Sequence, residues 1–189
     1  MNDCLEKHRD IFSYVMLAMA LAVSAAAPAR AAEALQITET GVGPIVATTP
    51  FSVQRVQQLL PGYAVKMDKR STEGESYRVI LVTRQGRTLA TINPAAGEKR
   101  IFSIRVGSGQ VVNKLGPKIG SNYASIFGPT VSAGCHAGAE ELSGKVICSH
   151  PKSKHVSYLL SGRSNGLDGS VPPIATLSKF VVEEIIWRP

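Results

Sequence analysis

A two-residue apolar period that returns in short runs constrains this chain more than any other feature. Tyr63, Val65 and Met67 alternate with Ala64, Lys66 and Asp68, and Phe102, Ile104 and Val106 alternate with Ile101, Ser103 and Arg105. Val156, Tyr158 and Leu160 alternate in the same way with His155, Ser157 and Leu159. Successive side chains of a strand point to opposite faces, so each run predicts a strand with one covered face. The segment 76–84, SYRVILVTR, is apolar on both alternations and predicts a central strand, or one with a helix over its outer face. FVVEEIIWRP predicts a closing strand whose Trp187 packs the terminus down. Gly, Pro, Asn and Asp punctuate these runs. The expected fold is mainly β, an antiparallel sheet or sandwich with two short packing helices, with an α+β arrangement as the alternative.

Two segments predict those helices. In TTPFSVQRVQQLLPG, Thr49 is the expected cap, Pro50 fits the first helical position, and Val53, Val56 and Leu60 recur at helical spacing until Pro61-Gly62. In GSNYASIFG, Ser121 is the expected cap, Tyr123 and Ile126 face the sheet, and Gly128-Pro129 ends the helix. GPIVATTPFSVQRV and GPKIGSNYASIF each run from Gly-Pro to a capped helix with a strand after it. That pattern is read as a duplication or as chance similarity of two strand-turn-helix units. The stretch NGLDGSVPP, with turn dipeptides Asn165-Gly166 and Asp168-Gly169, predicts a loop.

Residues 1–31 read as an export signal. A charged start with Lys7 and Arg9 leads into an apolar run from Ile11 to Ala29, and Ala29-Arg30-Ala31 offers the small residues that precede a signal-peptidase cut. The mature chain is expected to begin near Ala32 as a single mainly β domain, 32–189, of a size that supports one core. An uncleaved anchor is the competing reading, opposed by Ser13, Ser24, Pro28 and the alanine-rich end. Asp3, Glu6 and Asp10 offset the basic leader, which leaves Met16 as an alternative start. A lipid-acceptor cysteine would follow the apolar run, whereas Cys4 precedes it. The expected location is the periplasm, by the Sec route, with a peripheral outer-membrane association as the further option.

The net charge of +7 points an exported protein toward anionic lipid, lipopolysaccharide phosphate or cell-wall polymer, and away from nucleic acid. The plainer account is solubility, because the cations are spread along the chain. Cys135 and Cys148 are the two cysteines beyond the leader, and in an oxidising compartment they are expected to pair. Cys135-His136 and Cys148-Ser149-His150 also raise a zinc site, weakened because neighbouring strand residues point to different sides. A hydrolase reading nominates Ser157 or Ser161 with His155 and Asp168, without any G-x-S-x-G elbow or oxyanion element. Glu140-Glu141 and Glu183-Glu184 are adjacent carboxylates, unlike the facing pair of glycoside hydrolysis. No phosphate loop or dinucleotide fingerprint is present, so no nucleotide, metal or other cofactor is expected.

TGVGPIVATTP, KIGSNYASIFG, the cysteine pair, HVSYLLSG, GLDGSVPP with Thr176-Leu177, and EIIWRP occur in an order and spacing that resembles the RpoE-regulated lipoprotein-like family of Gram-negative envelope proteins. This chain resembles a non-lipidated variant of it. The resemblance implies a mostly β domain on the periplasmic side of the outer membrane, made under envelope stress, with no established activity and no catalytic residue to carry over. It also implies that Cys135 and Cys148 match the family's cysteine pair, and that His155, Ser157, Tyr158, Gly162, Gly169 and Trp187 match recurrent positions. His155, Ser157, Tyr158, Asp168 and Trp187 are the expected surface or binding residues. The expected role is noncatalytic binding to anionic envelope components or outer-membrane proteins; the alternatives are an envelope hydrolase and a metal-handling module.

Overall fold

The apolar runs pair into one continuous sheet. A computed structural model describes residues 34–72, 74–164 and 169–189. The large sheet is antiparallel throughout and uses eight strands: β4 (Ala64–Thr72), β5 (Glu75–Arg84), β6 (Arg87–Pro94), β7 (Ile101–Val106), β9 (Cys135–Ala137), β10 (Val146–Ser149), β11 (Val156–Ser161) and β12 (Val181–Trp187). Their order across the sheet is β4-β5-β6-β7-β12-β11-β10-β9. A small sheet joins β1 (Gln36–Ile37), β2 (Gly41–Val42), β3 (Ile45–Val46) and β8 (Val112–Asn113), antiparallel except where β1 runs parallel to β8. Helices α1 (Val53–Leu59), α2 (Tyr123–Phe127) and α3 (Ile174–Leu177) complete a β sandwich with short helices. Both sheets contribute to one apolar core. Ile37, Val42 and Ile45 from the small sheet pack in it with Ile80, Ile92, Ile104, Tyr158, Ile185 and Trp187 from the large one, all essentially without solvent contact.

The large sheet consists of two four-stranded meanders, β4–β7 and β9–β12, whose last strands meet antiparallel at the centre. Arg105 pairs with Ile186, flanked by Ile104 with Trp187 and Val106 with Ile185, a register that maps onto itself when β7 and β12 are exchanged. Three further features recur at matching places. In β6·β7 the register jumps from Asn93–Ser103 to Pro94–Ile101, skipping Phe102; in β11·β12 it jumps from Leu159–Glu184 to Leu160–Val182, skipping Glu183. The skipped residue lies three positions before the central one in both strands. Pro50 bridges Arg100 just before α1, and Asn122 bridges Val181 just before α2. The Phe51 N–H donates to the Lys99 carbonyl at 3.2 Å, and the Tyr123 N–H donates to the Phe180 carbonyl at 2.8 Å. The two meanders therefore share a bulge position, a helix anchor and a central register that exchanges one with the other.

Several local expectations are corrected. Helix α1 starts at Val53, with the Ser52 hydroxyl accepting from the Arg55 N–H. Pro50 is held in the bridge to Arg100, and buried Thr49 accepts from the Val46 N–H at 3.0 Å, so neither is free to start the helix. Ser121 accepts from the Lys118 N–H at 3.0 Å and fixes the turn before α2, whose cap position is Asn122. The bulge reverses the local alternation, so Ile101 is buried at 4 % exposure and Phe102 is exposed at 53 %. Met67 is 40 % exposed because β4 is an edge strand beyond the reach of the core. Helix α3, directly after Pro172-Pro173, is a third helix beyond the two expected. The double-sided apolar strand is β5, with Val79, Ile80, Leu81 and Val82 all buried.

Gly162 lies where β11 leaves the sheet beside the fully buried Phe180 ring. A Cβ there would meet ring atoms Cδ1, Cε1 and Cγ of Phe180, at 2.6 Å from Cε1. Gly162→Ala is therefore expected to lose about 1–3 kcal/mol by overpacking. Gly109→Ala, with nothing within 4 Å, is expected to be near neutral. Urea unfolding of both variants checks the difference.

Candidate functional site

One row across the core face of each meander shows how the halves differ. The first half reads Met67–Ile80–Ile92–Ile104. The second reads Cys135–Cys148–Tyr158–Ile185. Apolar side chains are thus replaced in the second half by a cysteine pair and a tyrosine, and the groups with chemical potential collect around them.

Cys135 and Cys148 sit directly opposite each other on β9 and β10, with Cα atoms 4.0 Å apart and sulfurs 2.02 Å apart, a bonded pair. The pair ties the outermost strand of the second half to its neighbour. Tyr158 is fully buried beside it, and its hydroxyl receives the Asn113 Nδ2–H at 3.4 Å. Burial pushes the Tyr158 phenol up to about 12, only partly offset by the Asn113 hydrogen bond. Asn113 also donates to the Pro117 carbonyl and accepts from the Leu115 N–H, which fixes the turn after β8. His150 lies 5.7 Å from the Tyr158 ring, centroid to centroid. Its Nδ1 accepts from the Lys152 N–H at 3.0 Å, which leaves Nε2 to donate to the Leu115 carbonyl at 3.4 Å. Helix α2 closes the cluster: Tyr123 stacks on Phe127 at 4.8 Å, and Phe127 meets Tyr158 edge-on at 6.2 Å. The buried Tyr123 hydroxyl donates to the Thr130 carbonyl at 2.9 Å and accepts from the Ser132 N–H at 2.8 Å, holding the approach to β9.

The expected surface residues are thus divided. Tyr158 and Trp187 are core side chains at 0 % and 1 % exposure, a correction to their assignment as surface groups. The Trp187 indole N–H donates to the Glu39 carbonyl at 3.2 Å, binding the last strand to the turn between β1 and β2. His155 is half-buried, and its Nδ1 hydrogen-bonds the Arg188 carbonyl at 2.8 Å. Ser157 is half-buried on the opposite sheet face from Tyr158 and pairs with Ile186. His155 and Ser157 share that face without a hydrogen bond between them, and Asp168 lies outside the described residues. Leu159, expected to point outward, does lie on that face but is buried with Ile147 and Ile186 in a second small apolar cluster. The two histidines near the cysteines separate: His136 is exposed on the outer face, whereas His150 is inside. Among the described residues, no group of three or more potential metal ligands forms.

A family model described as "Protein of unknown function (DUF1131)" matches residues 21–189. The chain belongs to the DUF1131 family. Its relatives include "Uncharacterized protein YfeY" of Escherichia coli (strain K12), 28% identical over 154 residues that make up 81% of this chain and 79% of YfeY. The crystal structure of the uncharacterized protein yfeY from Escherichia coli is similar with a TM-score of 0.67 and 28% identity, covering 82% of this chain and 99% of that one. In this DUF1131 chain, sequence reasoning missed Asn113, His150 and Tyr123 as members of the Tyr158 cluster. The available signal was the motif Cys148-Ser149-His150, whose alternation places Cys148 and His150 on the same side.

Two expectations follow from this cluster. The bond between Cys135 and Cys148, separated by 13 residues, is expected to contribute about 3 kcal/mol by the chain-entropy relation. The Cys135→Ala/Cys148→Ala variant should therefore melt roughly 6–12 °C lower, a shift that reductant on the native protein should approach. For Tyr158, the folded pKa lies above the unfolded value near 10, so its stabilisation is full below about pH 10 and is lost as pH rises through about 12. Tyr158→Phe should remove about 1 kcal/mol at pH 7 and flatten the alkaline fall in stability, as read from urea midpoints between pH 7 and 12.

Proposed function

We propose that this protein works in the periplasm as a noncatalytic binding or accessory protein of the cell envelope, after removal of residues 1–31 by signal peptidase. The observation that carries this reading is the seating of Cys135 and Cys148 at directly opposed positions on neighbouring strands. Such bonds persist in oxidising compartments and are rare in the cytosol. The apolar leader and the small residues at Ala29-Arg30-Ala31 supply the route to that compartment.

Binding is favoured over reaction because the side chains best equipped for chemistry are committed to holding structure. Tyr158, Asn113 and His150 hold the turns after β8 and β10. Tyr123 holds the approach to β9, and the His155 ring holds the last strand. The resemblance to RpoE-regulated lipoprotein-like proteins extends the proposal to a role under envelope stress. The absence of an acceptor cysteine after the apolar run favours a soluble form with at most peripheral membrane contact. The net charge of +7 suits anionic envelope components or acidic surfaces of outer-membrane proteins.

Osmotic-shock fractionation of cells making the native protein, followed by intact-mass measurement with and without a thiol-alkylating reagent, tests the proposal. The expected species is periplasmic, lacks the leader mass and takes up no reagent. A cytosolic chain of full mass that takes up reagent at Cys135 and Cys148 would overturn it.

A further inference from the structure

The two halves end in different outer edges. The second half ends in β9, three residues long and cross-linked to β10 by Cys135–Cys148. The first half ends in β4, nine residues long and flanked only by β5. The inner side of β4 is satisfied by β5 from Ala64–Thr83 to Thr72–Glu75 without a register break. On the outer side, one residue has a partner: the Val65 N–H donates to Gln57 Oε1 at 3.1 Å, while Gln57 Nε2 donates to the Tyr63 carbonyl at 2.9 Å. Outward-facing groups alternate along an antiparallel edge, so the same side then presents the N–H and C=O of Met67, Lys69 and Ser71. Among the described residues no hydrogen bond outside the ladder engages those three N–H groups.

We propose that β4 is a docking edge for an extended acidic segment of a partner protein, added as a ninth strand antiparallel or parallel to Met67–Ser71. The proposal deepens the binding reading above by naming the surface and the chemistry of its partner. Main-chain groups at alternate positions supply the affinity in strand addition, and flanking side chains supply the choice of partner. The side chains here are cationic on both faces. Lys66 and Arg70 flank the edge on one face and Lys69 on the other, all exposed, with Asp68 as the one carboxylate among them and 3.6 Å from Arg70. Lys66 and Lys69 have no ion-pair partner among the described residues. Arg78, which pairs with Lys69 in register, is already held by Glu98. Exposed Met67 and half-buried Val65 add an apolar contact on the face that carries Lys69. Lysines on an edge oppose pairing with an identical strand or a neutral one. The same charges make an acidic strand the one that gains by pairing, which excludes a second copy of β4 as the natural occupant.

The test uses the purified mature protein, so its outcome is independent of where the protein resides in the cell. The probe is the capped peptide acetyl-Glu-Val-Glu-Val-Glu-Val-Glu-amide, with acetyl-Lys-Val-Lys-Val-Lys-Val-Lys-amide as its charge-reversed counterpart. Amide hydrogen exchange resolved by NMR is expected to slow at Met67, Lys69 and Ser71 with the acidic peptide alone. Met67→Pro removes an outward N–H and leaves the β5 ladder intact, and edge strands accommodate proline at such positions. It is expected to weaken binding at least about tenfold, the size of losing strand hydrogen bonds. Lys66→Glu/Lys69→Glu, which keeps every main-chain donor, is expected to weaken it by about as much at low salt and to allow the basic peptide in its place. That pair of changes keeps the test sound if the proline variant fails to fold. Unchanged exchange at the three amides in millimolar acidic peptide would overturn the proposal. So would equal binding by native protein and Met67→Pro, which marks polyanion attraction of the kind an anionic vesicle would show. Protection of the same amides by self-association, without peptide, would assign the edge to a second copy instead.

Discussion

The antiparallel pairing of β7 with β12 is the constraint on which the rest of this structure depends. It joins two four-stranded meanders into one sheet, and it lays Ile104, Val106, Ile185 and Trp187 side by side on the face that carries the core. A slip of one residue by either strand would turn that strand's two core residues outward and break the self-consistent register about Arg105 and Ile186. On the opposite face the same pairing brings Arg105 within hydrogen-bonding distance of Glu184, at 2.5 Å, so each half contributes one member of an ion pair across the seam. Placement of α1 and α2 follows from the seam as well. Each helix is led in by a bridge to the start of a central strand, Arg100 before β7 and Val181 at the head of β12.

From that common plan the halves take different work. The second half turns a row of apolar residues into a disulfide and a buried tyrosine, with His150, Asn113, Tyr123 and Phe127 filling the space around them. The hydrogen bonds of Asn113, His150 and Tyr123 fix the arrangement of the loops around this cluster. The first half keeps its apolar row and instead extends its outer hairpin, leaving the edge of β4 open. The second half thus ends in a short, cross-linked strand, and the first in a long polar one.

Much of this was legible in the sequence because period-two patterning survives wherever one face is covered. β5, β11 and β12 were recoverable from the apolar positions of 79–82, 156–160 and 182–187. Patterning failed where geometry departs from a regular ladder. At the bulge, one extra residue exchanges the sides of Ile101 and Phe102, and no property of either side chain announces it. The helix caps were misplaced because Thr49, Ser52 and Ser121 are chemically similar acceptors, and tertiary bridges decided which of them was free. Tyr158 was correctly oriented by alternation and Trp187 was read as packed down, and yet both were grouped with surface residues, because a polar atom on an aromatic ring is equally suited to a buried hydrogen bond. The pairing of β7 with β12 lies between residues too far apart in the chain for any local signal. Family membership added an uncharacterised relative of the same fold and left the function to be argued from this chain's own residues.

On this basis the two meanders fold as one body through their shared seam. Native-state hydrogen exchange under increasing denaturant measures this directly, by comparing the amides of 104–106 and 185–187 with those elsewhere in each half. The seam amides are expected to exchange only through global unfolding, at the same free energy and with the same denaturant dependence as the most protected amides of β5, β6 and β11. Seam amides that open at lower free energy while either meander stays protected would show two separately stable halves and contradict it.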